Sequence, residues 1–594
     1  MNIKHNLLPD AVSKQSRRPN TKIHYPLFTE HTIPMPAGPL KYNGWRKLTY
    51  GYPDTDVVHS ILGICRYGAR IGYEGDRETI RIHTNLISAE ENTELVMADI
   101  ETELKNNRLT TYPGPKNLPD HYTALPLGLT DKADGSKRRI HHLSFPANSA
   151  SSINGCIPEN YGAIAYSTVE EAITVIAAFG RGCQLIKRDF ESAFRHIPIS
   201  PIDSPLLGFR WQGKYYSERF LPFGLRTAPY LFNLFAEMFH WILVKEFMQQ
   251  QQPVEILHYL DDFFLIIPHE VELNAYSQRF SQLCKEVGLV IKVVKNKQGT
   301  VASFGGVEFD TEKMAVRLPQ KKLDKARSII EAAINATSLT LLELQRITGN
   351  LNFVAIVVPL GRTFLRRMYN MQLYFPPQSQ HCRRRITSEA RKDLTWWLKV
   401  LSTEPERSII KEKRSGVRVW SDASGTKGLG AFYITEQDIG FSSQPPATTV
   451  SQALQPGPGT AFSMSLPHYI SKTREHINTK EMRTVEQALL HWGQKWTGRR
   501  VTLHTDNRAV AHGIANRTIR GASMDVLRRC LLLAAQYDLE MEVIWISTHD
   551  NTLADALSRF DLGKIANLAP QLIYPTSSPL NPGFLTYGRR ACHK

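Results

Sequence analysis

The sequence predicts a multidomain α+β protein, on three observations. The 594-residue chain is longer than one hydrophobic core usually serves, and holds roughly three or four domains on the usual size scale. From about Leu125 to Asp310, β-rich runs alternate with amphipathic helices. Residues 316–405 then read mostly helical, and a fresh α/β pattern starts near Val417 and runs to about Phe560.

Taken in order, the first 55 residues or so are basic, proline-punctuated and aperiodic, and form part of an expected N-terminal arm over 1–85. A first sheet domain is expected over 86–315, entered by a helix from Ser88 to Leu104 with acids in its first turn. A helical region follows over 316–412, where Leu394, Trp397, Leu398 and Leu401 fall on one helical face. The second α/β domain is placed at 413–562, with Gln444 to Pro467 as a long Pro/Gly/Ser-rich loop, and 563–594 as a tail.

The formal charge is +16, from 72 basic and 56 acidic residues, and such a surplus points to a polyanionic partner, usually nucleic acid. Seven cysteines are scattered singly without a C-x-x-C, which excludes an evident zinc finger and fits free thiols in a reducing, intracellular setting. The N-terminus lacks a signal-peptide core, and no run approaches about 20 apolar residues, so no membrane partner is expected.

Tyr259-Leu260-Asp261-Asp262 sets two adjacent carboxylates between the apolar runs Val254–Leu260 and Phe263–Ile267. Two ionised carboxylates are too costly to bury alone, so the pair belongs at a hairpin tip facing cations. Two divalent metals of an in-line phosphoryl displacement are the natural cations; a turn that merely solvates its acids is the alternative. Asp189 ends another apolar strand, Cys183 to Asp189, and joins the pair if the strands are neighbours; a strand-end turn or helix N-cap is the plainer reading. Between them, Leu221-Pro-Phe223-Gly224-Leu-Arg-Thr-Ala-Pro229 makes a turn into an apolar helix. Lys132 and Arg139 flank an Asp134-Gly135 turn, where they would clamp a triphosphate or simply solvate a surface hairpin.

A second acidic set lies downstream. Asp422 and Asp506 end β runs, Glu481 begins a helix, and Asp555 sits on a short helix. Asn478 with Glu481 also fits a capping box, with Ile477 and Met482 as a hydrophobic staple, and Thr552 could cap the helix of Asp555.

Together the segments resemble known enzymes. Asp189-Phe190-Glu-Ser-Ala-Phe194, LPFGLRTAP, YLDD, Gly288-Leu289 with Lys295, and Phe304-Gly305-Gly306 occur in the order found in reverse transcriptases. The resemblance implies a right-hand polymerase of fingers, palm and thumb, with Asp189, Asp261 and Asp262 holding two Mg²⁺ ions (or Mn²⁺). It also implies that Lys132, Arg139, Phe190, Phe194, Phe223, Gly224 and Tyr259 contact substrates. Phe194 would lie under the sugar and favour dNTPs, and Lys295 would protonate pyrophosphate. Phe223 stands where retroviral enzymes often carry Gln.

Asp422, Glu481, Asp506 and Asp555 resemble the four acids of the ribonuclease H domain, which hold two Mg²⁺ and cut the RNA strand of a hybrid. Trp545 falls about where a family histidine aligns, and His549 lies nearer to Asp555. Residues 344–369 look like DIRS-type and related retrotransposons, within a wider likeness to Ty3-like elements. The implied partners are an RNA template, a DNA primer, an RNA/DNA hybrid and an element-encoded tyrosine recombinase. The alternative is a domesticated or decayed relative that binds nucleic acid without catalysis, against which all seven acids are present. Arg383-Arg384-Arg385 with Trp396-Trp397 would grip a duplex, or else form a solvated basic helix face with a packed Trp.

Overall fold

The computed structural model describes residues 27–33, 35, 38–131, 137–147, 149–269, 271–376, 381–410, 414–435, 456–457, 459–466 and 475–572. The chain divides into two compact units, Met1–Arg317 with Ser408–Ile410, and Leu318–Arg407 with Lys411–Lys594.

The first unit is organised by a four-stranded antiparallel sheet. Its strands are β1 (Gln184–Asp189), β2 (Glu255–Tyr259), β3 (Asp262–Ile267) and β4 (Lys297–Gly299), in the order β4-β1-β3-β2. Phe263 to Ile267 are all fully buried, because β3 is covered on both faces and therefore reads as a continuous apolar run rather than an alternating one. On one face Phe263 joins Phe190, Phe239 and Phe280, with ring centroids 5.4–5.9 Å from Phe263. On the other, Phe264 stacks on Phe304 at 5.1 Å, a residue of the small antiparallel sheet that follows. The long helix Ala228–Gln249 lies across the first face and buries most of its aromatic residues there. A separate five-stranded sheet and the hairpin Leu127–Asp131/Lys137–His141 complete the unit.

The expected N-terminal arm is corrected from residue 42 onward. Helices Tyr42–Leu48 and Thr55–Tyr67 are part of the core, the second capped by Asp54, which accepts from the Asp56 and Val57 amides at 3.0 and 3.1 Å. Trp45 is fully buried and meets Phe235 edge-on at 5.2 Å. The approach is close: a Cβ on Gly44 would lie 1.9 Å from the Glu286 carbonyl oxygen. A seven-residue helix offers too few turns for periodicity to reveal it.

In the second unit, strands β5 (Gly416–Ala423), β6 (Gly428–Thr435), β7 (Ala461–Ser465), β8 (Arg500–Thr505) and β9 (Glu540–Trp545) form one sheet in the order β7-β6-β5-β8-β9. The β5–β6 and β6–β7 pairs are antiparallel, and β5–β8 and β8–β9 parallel. Helix Ile477–Trp492 packs Met482, Val485 and Leu489 against one face with helix Ser523–Gln536. The opposite face stacks Trp420 on Phe432 at 4.9 Å and is covered by Thr552–Arg559 and the residues after it. The tail expected from 563 is therefore corrected as far as 572: Ile565, Ala569 and Leu572 are buried in that cluster. The long loop expected from Gln444 to Pro467 is corrected at Ala461–Ser465, which form strand β7; its residues 444–455, 458 and 467, and residues 573–594, lie outside the described residues.

The same unit contains the helices Gln320–Asn335, Leu341–Val354 and Ser388–Ser402. Trp397 is fully buried, and Trp396 stacks on Phe364 at 3.8 Å. Of the two readings of this segment the packed tryptophan is the one the structure fits, while the basic helix face is corrected: Arg383–Arg385 form an exposed strand paired with Ser338–Thr340. Asp393 and Arg528, both nearly inaccessible, form a bidentate ion pair, with Arg528 Nη1 donating to Asp393 Oδ2 at 2.9 Å.

Trp45→Ala should destabilise the first unit by about 3–5 kcal/mol, the usual loss for emptying an aromatic core site. Limited trypsin digestion is the check: residues 42–67 should become cleavable at protease levels the parent survives. Unchanged digestion would mean that these helices do not hold the core.

Candidate active sites

The register of β1, β2 and β3 assembles the first site. Asp262 pairs across with Asp189 on one side and with Tyr259 on the other, so the Leu260–Asp261 turn lies beside the end of β1. Leu260 takes φ +53 to close this turn, and the Phe190 amide donates to the Asp261 carbonyl at 3.2 Å. Asp189, Asp261 and Asp262 are thereby brought together at one sheet end, on rigid strands.

Two lysines face these acids. Lys187 Nζ donates to Asp262 Oδ2 at 2.8 Å, and Lys295 Nζ stands 3.4 Å from Asp189 Oδ2. Neither satisfies the cluster: Asp189 Oδ2 and Asp262 Oδ1 are buried and accept no hydrogen bond. Burial pushes the Asp262 carboxyl up to about 6 against the pull of Lys187. Asp261 is also raised, by burial and then by the charge of Asp189. Buried acids with orphaned oxygens are the donor set a divalent cation fits, and the two ammonium groups sit where such a cation would compete with them.

Around the acids, Tyr259 is exposed and stacks on Tyr166 at 4.2 Å. Phe194 lies 5.3 Å from Phe223, whose exposed ring is covered by the Arg138 guanidinium at 4.8 Å. Gly224 has φ +94, which an L side chain rarely adopts. Its turn is pinned by Asn154, which donates to the Gly224 carbonyl and accepts from the Arg226 amide, both at 2.9 Å.

Two expected substrate contacts are corrected, and a third is undescribed. Phe190 is buried among Phe232, Phe239, Phe263 and Phe280, because the residue after a strand-end acid turns its side chain inward. Arg139 is not a free clamp: its side chain is 5% exposed and pairs with Asp99 and Glu218. Glu218 also receives Arg195 at 2.6 Å, and although burial pushes its carboxyl up, these guanidiniums hold it below the ordinary value. The neighbouring Arg138 faces the turn instead, since successive strand residues point to opposite faces. Lys132 lies outside the described residues.

The second site gathers three of its four acids. Asp422 at the end of β5, Glu481 in the first turn of its helix and Asp506 just after β8 each offer an oxygen within 4.8 Å of the others. Among the described residues this is the one group of three or more acidic, His or Cys side chains that converges so closely. The capping-box reading of Glu481 is corrected: His476 is the N-cap, accepting from the Asn478 amide at 3.2 Å, and Glu481 Oε2 is buried without a partner. Burial, then the charges of Asp422 and Asp506, raise Glu481 well above its ordinary range. Asp422 is pushed up to about 6 by burial, against a hydrogen bond from Ser558.

Asp555 stands apart, held by Arg559 Nε at 2.5 Å. Asn551 caps its helix without a side-chain cap bond; its amide instead donates to the Ser421 carbonyl at 3.0 Å and to Asp506 Oδ1 at 3.4 Å. His549 is exposed, and Trp545 donates from Nε1 to the Asp506 carbonyl at 2.9 Å.

Sequence reasoning missed Lys187, Arg138, Asn154, Tyr166, Ser558 and Asn551. Lys187 was within reach, two residues before Asp189 and so on the same strand face. The others depend on tertiary register.

Residues 154–325 match the family described as reverse transcriptase (RNA-dependent DNA polymerase). Protein P of a duck hepatitis B virus (strain China) is 24% identical over 188 residues, which cover 32% of this chain and 23% of that protein. The Pro-Pol polyprotein of feline foamy virus is 28% identical over 199 residues, 32% of this chain and 16% of that protein. The chain thus spans less than a quarter of the length of these curated relatives. Among solved structures, the foamy viral protease-reverse transcriptase dRH in complex with double-stranded DNA aligns with a TM-score of 0.43 and 16% identity, covering 87% of this chain and 84% of that one. The stretch holding Asp189, Asp261 and Asp262 is therefore a reverse transcriptase domain.

Proposed function

We propose that the chain is the RNA-directed DNA polymerase of a retroelement, and that its second unit cuts the RNA strand of RNA/DNA hybrids. The observation that carries the first reading is the Asp189–Asp262 register pair beside Asp261, with its orphaned buried oxygens, inside the matched domain. The converging Asp422, Glu481 and Asp506 carry the second. The partners are an RNA template, a DNA primer, their hybrid and dNTPs, in keeping with the +16 charge. The segment 344–369 supports a DIRS-type element, with a tyrosine recombinase as a co-encoded protein.

Asp189, Asp261 and Asp262 would hold two Mg²⁺ (Mn²⁺ serving as well), and Asp422, Glu481 and Asp506, with Asp555, another pair. Bound there, the cations lower the pKa of the attacking hydroxyl or water and offset charge on the phosphoryl oxygens. The protein's part is positioning. The strand ends fix the carboxylates, Tyr259 on Tyr166 steadies the primer end, and Phe194 with Phe223 forms a shelf beneath the sugar. Lys295, close to Asp189, is placed to give a proton to departing pyrophosphate. In the second unit, Asn551 and Ser558 orient Asp506 and Asp422.

Primer extension on an RNA template with dNTPs and Mg²⁺ should proceed for the parent, and Asp261→Asn should lower it by on the order of 10²–10³-fold or more. Extension by that variant at the parental rate would refute the polymerase assignment. A labelled RNA/DNA hybrid should be cut by the parent and spared by Glu481→Gln; cutting that persists in the variant would remove Glu481 from the site.

Asp422 and Asp262 hold their protons to about pH 6, above the ordinary 3.8. The folded chain then binds more protons than the unfolded one between about pH 4 and 6, so rising pH removes stability across that window and leaves ionised, mutually repelling acids above it. In metal-free protein at pH 8, Asp422→Asn should raise the melting midpoint, by about 2–4 °C per kcal/mol of repulsion relieved. Mn²⁺ should stabilise the parent at pH 8 and do little at pH 5, where protons compete for the same oxygens. A melting midpoint that ignores Mn²⁺ at both pH values would mean that the acids do not bind cations.

A further inference from the structure

Beside the second acid cluster lies a group that none of these roles uses. Trp545 ends the edge strand β9, paired in register with Thr505, so its indole stands next to Asp506. The ring is fixed at its edge by the Nε1 hydrogen bond to the Asp506 carbonyl, at 2.9 Å. The Arg508 guanidinium, at the start of the next helix, lies 4.6 Å from the ring centroid. Despite these two contacts Trp545 remains 45% exposed, and Ile544 before it 49%. Trp545 is thus a large aromatic side chain held in one orientation, yet half open to solvent beside a converging acid cluster. A pinned aromatic face paired with a guanidinium suits one kind of ligand: a nucleobase stacked on the ring, with its phosphate reached by the arginine.

We infer that Trp545 and Arg508 form a stacking platform that holds a nucleotide of the RNA strand next to the bond presented to Asp422, Glu481 and Asp506. The inference rests on the hybrid-cleaving reading for its ligand, but not for its geometry. Because the Trp545 hydrogen bond goes to the Asp506 backbone carbonyl and not to its carboxylate, the ring acts by placing the strand and not by altering the acid. Removing the ring should therefore weaken substrate capture and leave the chemical step intact.

The test uses full-length protein and a hybrid whose RNA strand carries 5-iodouridine, which cross-links on irradiation to an aromatic ring stacked upon it. With Asp506→Asn, to preserve the RNA, the cross-link should map to Trp545 by mass spectrometry and disappear in Asp506→Asn/Trp545→Ala. In cleavage assays Trp545→Ala should raise KM about tenfold with kcat within about twofold, Trp545→Phe should restore most of the loss, and Arg508→Ala should weaken binding more in low salt than in high. Cross-linking at Trp545 without cleavage by the parent would keep the platform and sink the nuclease reading. Cleavage with no Trp545 cross-link and a parental KM in Trp545→Ala would do the reverse.

Discussion

Both units are governed by one constraint: like charges held close together where water cannot screen them. Each buried carboxylate at a strand end raises the proton affinity of its neighbours, and each cluster keeps at least one oxygen that no protein group satisfies. Such an arrangement persists only because strands are stiff and their ends are fixed by hydrogen-bond register. The two units answer it differently. Lys187 and Lys295 place positive charge against the first cluster, whereas in the second Arg559 pairs with Asp555, and the converging Asp422 and Asp506 receive hydrogen bonds from Ser558 and Asn551. The first site thus meets its cations directly at the converging acids, and the second meets its arginine at the outlying Asp555.

The packing around the clusters serves that rigidity. Phe190, directly after Asp189, anchors the end of β1 in an aromatic core, so the acid cannot swing away without exposing a ring. Glu218, Arg139 and Arg195 form a buried network that ties the hairpin Leu127–Asp131/Lys137–His141 to the turn after β1. In an interior, such a network has value mainly as a device of geometry, since burial consumes much of the Coulombic attraction. The second unit has a parallel, in which Asn551 spans from Asp506 to the β5 backbone.

Much of this was legible in the chain, and the failures have a common origin. The runs Val254–Leu260 and Phe263–Ile267 announced strands, and the acids between them announced a tip, because apolar β-branched and aromatic runs interrupted by charge admit few other structures. Asp189 at its strand end joins the pair only if the strands are neighbours, and the β1–β3 register meets that condition. What sequence could not supply was facing. Arg138 and Arg139 are equivalent in composition, and only the pleat decides which one meets Phe223 and which one Glu218. Glu481 satisfied a capping pattern, and only the tertiary placement of His476 and Asp506 shows that its carboxylate is aimed elsewhere. Short elements were missed for a simpler reason: the helices Tyr42–Leu48 and Leu562–Leu568 are seven residues each, about two turns, too short for a period to show.

The Asp393–Arg528 pair bears on how such a chain can be divided by recombination. Asp393 comes from the helical layer and Arg528 from a helix against the sheet of the second acid cluster, and neither is accessible to water. A crossover at Gly416 would part Arg528, which goes with the sheet, from Asp393, which stays behind, and breaking such a buried pair costs about 3–5 kcal/mol. Gene shuffling that respects stability would exchange the sheet and the helices before it together.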